Sequence, residues 1–128
     1  MVPGLKKYFC DVSLDPNTAN NTLKLSVDKR TVTSVEELQL YPSHQDRFSS
    51  CAQVLSSTAL TGRCYWEVET TGDVDIAVSY RGIRRRGEAE DCRFGDNDQS
   101  WSLRRNDRGF CSFIIVKGKH TLATGQVE

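Results

Sequence analysis

Between Gly62 and Glu69 the chain reads Gly-Arg-Cys-Tyr-Trp-Glu-Val-Glu, and this alternation constrains the fold more than any other feature. Successive side chains of an extended chain point to opposite faces. Cys64, Trp66 and Val68 therefore fall on one side and Tyr65, Glu67 and Glu69 on the other. A second run repeats the pattern, with Val74, Ile76, Val78 and Tyr80 on one face and Asp75, Ala77 and Ser79 on the other. Thr71-Gly72-Asp73 between the two runs predicts a short hairpin turn. Further strand signals are Leu23, Leu25 and Val27, then Gln53-Val54-Leu55, Trp101 with Leu103, and Phe110 to Val116. Many short strands with almost no helical periodicity predict an all-β antiparallel sandwich or barrel.

The connections carry their own chemistry. Asp15-Pro16-Asn17-Thr18-Ala19-Asn20 is a turn sequence, because Asp can bond the backbone two residues on and Pro fixes φ. Ser34 followed by Glu37 resembles a capping box and predicts a brief helical turn that must end before Pro42. Residues 1–9 read as a lead-in segment. The expected core comprises Leu14, Phe48, Val54, Trp66, Val68, Ile76, Val78, Phe94, Trp101 and Leu103, with both tryptophans packed inside.

The chain has 128 residues, a length suited to one domain. Its 17 basic residues balance 17 acidic ones, which argues against a general nucleic-acid or anionic-membrane binder. No run approaches the ~20 apolar residues of a membrane span, and the N-terminus has no signal-like apolar stretch, so the expected compartment is the cytoplasm. Cys10, Cys51, Cys64, Cys92 and Cys111 lack paired metal-ligand spacing, and His44 and His120 are isolated. Reduced cysteines acting as small hydrophobes are expected, with no zinc and no cofactor. The sequon Asn20-Asn21-Thr22 has little weight without a secretion signal.

No catalytic constellation stands out, since a nucleophile needs an oriented base and neither histidine has one nearby in sequence. Glu67 and Glu69 read as a solvated face opposite Trp66 rather than as a carboxylate pair. The run Arg81, Arg84, Arg85 and Arg86 could grip a phosphate or an acidic partner, but Glu88, Glu90 and Asp91 follow it and favour a balanced, solvated loop. Gly82 to Gly87 lacks P-loop spacing.

Three blocks of sequence resemble the PRY–SPRY family. The first is Leu14-Asp15-Pro16-Asn17-Thr18-Ala19-Asn20 with Leu23, Leu25, Ser26 and Asp28, similar to the motif that opens PRY. The second is Arg47-Phe48, Cys51, Gln53-Val54-Leu55 and Gly62 to Glu69, similar to the end of PRY and the WEVE motif of SPRY. The third runs from Val74 to Tyr80 through Gly82-Ile83, Asp91-Cys92, Phe94-Gly95, Asn97-Asp98 and Ser100-Trp101-Ser102-Leu103. The style is that of fish copies found in tripartite-motif ubiquitin ligases, NOD-like receptors and stonefish-type toxins. The resemblance implies a concanavalin-like jelly-roll sandwich, with PRY at about 10–58 and a partial SPRY at about 59–113. Residues 114–128 match no segment of the family pattern, and the LDYE-like motif is missing. The expectation is therefore a sandwich incomplete at its C-terminus, unless Phe110 to Val116 pairs in place of the absent strands.

The resemblance implies a non-enzymatic protein-recognition module that selects a target or senses an immune ligand, with a protein partner and neither nucleic acid nor membrane. The parent could be a ubiquitin ligase whose catalytic part lies elsewhere. Loops over a rigid scaffold are where such residues sit. They point to Tyr41, His44 and Asp46, with Arg81, Arg84, Arg85, Arg86, Arg104, Arg105 and Asp107 as lesser candidates. Other readings are the C-terminal module of a secreted pore-forming toxin subunit or, from another class, a small hydrolase or nucleic-acid binder.

Overall fold

The turn at Asp15 sets the first element in place. In the computed structural model, which describes residues 12–61, 64–106, 108–115 and 119–126, the Asp15 carboxylate accepts the Asn17 N–H at 3.0 Å and the Asp15 carbonyl accepts the Thr18 N–H at 3.0 Å. This is the predicted side-chain-to-backbone turn. The lead-in residues 1–9 lie outside the described residues.

The element order is β1 (Leu23–Leu25), β2 (Val32–Ser34), β3 (Gln53–Thr61), β4 (Cys64–Thr70), β5 (Val74–Ser79), α1 (Ala89–Cys92), β6 (Ser100–Arg105), β7 (Gly109–Ile115) and β8 (Lys119–Gln126). The strands form one sheet ordered β3-β8-β5-β6 and two strand pairs, β1-β2 and β4-β7. All pairings are antiparallel. The fold is all-β, as the alternating pattern predicts.

Three local readings change. Thr71-Gly72-Asp73 does not close a hairpin: Gly72 takes φ +81°, but β4 pairs with β7 while β5 pairs with β6 and β8. The turn passes the chain between sheets, because longer-range partners outcompete the neighbouring strand. Ser34 and Glu37 start no helix. Ser34 instead ends β2, where pairing with β1 holds the backbone extended. Among the described residues the helix that does form, α1, is a single turn at Ala89–Cys92. Of the predicted run Phe110 to Val116, residues 110–115 supply most of β7, which pairs with β4 from Cys64↔Ile115 to Thr70↔Gly109, and Val116 lies outside the described residues. Residues 119–126 form β8, inserted between β3 and β5. Residues 119–126, expected from sequence to match no part of the family pattern, thus occupy an interior position in the largest sheet.

Adjacent residues of β3 feed two cores. Leu55 joins Phe48, Ala77, Ile83 and Phe94, and Val54 joins Leu14, Ala19 and Leu23. Both residues are fully buried, so β3 is covered on both faces. In the first core the Phe48 and Phe94 rings meet edge to face at 5.4 Å. The expected apolar face of β5 needs correction. Asp75, Ala77 and Ser79 are all buried, whereas Val74 and Val78 are half-exposed. Loops bring Phe48, Ile83 and Phe94 onto the small side chains of that face, which leave room for large rings.

Leu14, Phe48, Val54, Trp66, Ile76 and Phe94 are buried as expected, and Val68 and Val78 are half-buried. Trp101 and Leu103 are not core residues: they are 54% and 49% exposed. They lie on the Val54 and Ile76 side of the sheet, opposite Val78 and Ile76 in register. Leu14 and Leu23 cover that side near β3, and the cover does not reach β6.

Candidate recognition cleft

The loop from Tyr41 to Phe48 has no regular secondary structure, and one cation shapes it. Arg47 Nη1 donates to the carbonyls of Pro16 and Ala19, each at 2.8 Å, and Nη2 donates to the Pro42 carbonyl at 2.7 Å. Its guanidinium carbon sits 4.9 Å from the centre of the Tyr41 ring, and the Tyr41 hydroxyl donates to the Leu23 carbonyl at 2.6 Å. Arg47 is 8% exposed. Among the described residues no carboxylate lies within ion-pair distance of it.

His44 Nδ1 accepts the Asp46 N–H at 3.0 Å, which puts the proton of the neutral imidazole on Nε2. The Asp46 carboxylate stands 3.9 Å from the same nitrogen, too far for a hydrogen bond. The Asp46 carbonyl accepts Arg85 Nη1 at 2.6 Å, and the His44 carbonyl accepts Arg86 Nη2 at 3.2 Å. The arginine-rich loop is thereby fastened to the Tyr41–Phe48 loop.

An open cleft of about 490 Å³ lies at this junction, lined by Tyr41, Ser43, His44, Arg47 and Arg86 together with Asn21 and Leu38 among others. The structure thus brings three of the predicted residues, Tyr41, His44 and Arg86, to one place. The other described candidates lie apart from the lining. Arg81 pairs with the Asp15 carboxylate at 2.9 Å and donates to the Ser56 carbonyl at 3.2 Å. Arg85 is half-buried, packs 5.0 Å over the Phe48 ring, and donates to the carbonyls of Ile83 and Arg81 as well as Asp46. Burial pulls its pKa down, and the Asp46 charge partly opposes that shift. Arg84 is exposed, with Asp91 at 3.9 Å. Arg104 meets Asp75 at 3.2 Å, and Arg105 Nε donates to Thr70 Oγ1 at 3.3 Å. Asp107 lies outside the described residues. The arginine run is thus not simply a solvated loop balanced by the acids after it. Arg81 and Arg85 are anchored to groups distant in sequence.

Sequence reasoning did not find the part played by Arg47, nor Asn21, Leu38 and Ser43. The one sequence signal for Arg47 was its place in the Arg47-Phe48 pair of the second family-like block. Cys51 and Cys92 are buried thiols, each held above its ordinary value of 9.0, chiefly by burial. Among the described residues no cluster of potential metal ligands forms, and no helix is long and apolar enough to cross a membrane.

The strands and loops described so far form an all-β fold, and comparison with known proteins gives the family. The PRY pattern, an SPRY-associated domain, matches residues 12–60. Vespryn of Pogona barbata is 39% identical over 84 residues, covering 63% of this chain and 73% of that protein. The chain belongs to the PRY–SPRY family. Stonustoxin subunit alpha of Synanceia horrida is 40% identical over 84% of this chain, and tripartite motif-containing protein 16 of Mus musculus is 36% identical over 84%. The chain spans 16% of the former and 20% of the latter. The stonustoxin structure superposes with a TM-score of 0.83 at 26% identity, over 92% of this chain and 27% of that one. A crystal structure of the TRIM65 PSpry domain gives a TM-score of 0.73 at 17% identity over 97% of this chain and 88% of that one, a likeness of fold.

Proposed function

We propose that this chain is a non-enzymatic protein-recognition module and that the cleft at Tyr41, His44 and Arg86 is its binding surface. The observation that carries the reading is the convergence of these residues on one open cleft, held by the buried Arg47 staple. Rigid support under exposed side chains lowers the ordering cost of binding. The similarity to a tripartite-motif protein supports a target-selecting role within a longer parent. A second reading, a module of a secreted pore-forming toxin subunit, draws on the stonustoxin similarity. In both cases the partner is a protein.

The test is affinity capture with the wild-type chain and with a double variant, Ser43→Arg plus Arg86→Glu. Both positions are exposed, so the variant keeps its fold. A partner retained by the wild type and lost from the double variant supports the reading. Equal retention moves the binding surface elsewhere, and no specific retention by the wild type sinks the module itself.

A further inference from the structure

The cleft is cationic and has no acidic residue in its lining. Arg47 and Arg86 both line it, and among the described residues neither has a carboxylate within ion-pair distance. Arg47 is the more telling of the two. Its terminal nitrogens are satisfied by neutral carbonyls only, and its Nε is buried with no hydrogen-bond partner. Buried charges in proteins are ordinarily paired, and buried donors ordinarily bonded. Here a buried cation without a counter-charge among the described residues lines an open cleft together with Arg86, and its idle Nε lies beneath the surface.

The remaining lining narrows the ligand. Leu38 is 62% exposed, so the cleft carries an apolar element that a small inorganic anion would not use. The Asn21 side chain and the Ser43 hydroxyl have no hydrogen-bond partner among the described residues, and His44 keeps Nε2–H as a donor. Donors of this kind match peptide carbonyls. Building on the recognition reading, we infer that the cleft takes an extended peptide from a protein partner. The peptide seats a carboxylate against Arg47 and Arg86 and an adjacent apolar side chain against Leu38. The carboxylate would supply the missing counter-charge, and charge-assisted hydrogen bonds are roughly twice as strong as neutral ones.

The experiment follows the isotope-labelled full chain by NMR during titration with an acetylated, amidated Gly-Leu-Glu-Leu-Gly peptide. The same titration is run with its Gln counterpart and with inorganic phosphate. The Glu peptide is expected to move the Arg47 Nε–H signal and the backbone amides of residues 43–47. The Gln peptide, and the Glu peptide on an Arg86→Ala variant, should bind about tenfold more weakly, the loss of one charge-assisted contact. Equal binding of the Glu and Gln peptides overturns the carboxylate assignment. Phosphate binding as tight as that of the Glu peptide overturns the peptide assignment and leaves a general anion site. Signals that stay still in all three titrations overturn the inference. If partner capture remains sensitive to the cleft variant in that case, the recognition reading stands without it.

Discussion

Replacing Arg47 by Met keeps the length and apolar stem of the side chain and deletes its guanidinium. The carbonyls of Pro16, Ala19 and Pro42 then lose their donors together. The Ala19 bond is buried, so its orphaned acceptor costs about 2 kcal/mol; the two part-buried carbonyls, which water can reach, cost about 1 kcal/mol each. Loss of the contact with the Tyr41 ring adds about 0.5 kcal/mol. Removing a buried charge returns part of its desolvation penalty, which brings the net loss to about 3 kcal/mol. That is a large fraction of the roughly 5–15 kcal/mol that holds a domain folded. In urea it lowers the midpoint by roughly 1.5–2 M with the slope unchanged, for a slope of about 1.5–2 kcal/mol/M. Lys at this position offers one ammonium for three dispersed carbonyls and should fall between Met and the wild type. A loss below about 1 kcal/mol for Arg47→Met would refute the staple.

Gly95 takes φ +92°, and a Cβ there would stand 2.3 Å from Ser102 Oγ. Gly95→Ala should therefore cost about 2 kcal/mol or more by urea unfolding, while Gly82→Ala, with open space around its Cβ position, should change stability by less than about 0.5 kcal/mol. Trp101→Phe should cost under about 1 kcal/mol and shift the fluorescence emission to the blue, because it leaves the buried Trp66 as reporter; an unchanged spectrum would put Trp101 back in the core. Cys51 and Cys92 have raised folded-state pKa values, so the unfolded thiols ionise first. Stability is then complete below about pH 9 and declines as pH climbs from there through the higher folded values; a flat unfolding midpoint between pH 8 and about 10.5 would contradict this.

Much of the fold was legible in the chain itself. The short run Gln53-Val54-Leu55 located β3, and period-two alternation located β4 and β5 because side-chain direction in a strand is a local property. The Asp15 turn was legible for the same reason, since its bonds span two or three residues. Which strands pair was not legible. Thr71-Gly72-Asp73 has the chemistry of a hairpin, yet β4 and β5 join different sheets. Nor was the buried face of β5: Ala77 and Ser79 look unremarkable until Phe48 and Phe94 arrive from distant loops. Trp101 and Leu103 looked like core residues because an apolar strand face predicts burial only where something covers it.

The site divides along the same line. Sequence alone placed Tyr41 and His44 in a polar loop and Arg86 in a basic one, and the family resemblance gave those loops their significance. Only the tertiary structure decided that Arg86 meets His44 across a gap of 42 positions, and that Arg85 is turned inward while Arg86 faces the cleft. It also decided that Arg47 lies buried with no counter-charge among the described residues. A residue's local conformation depends on near neighbours, and these the sequence displays. Its solvation and its charge partners depend on which remote segments fold against it, and these exist only once the sheets have assembled.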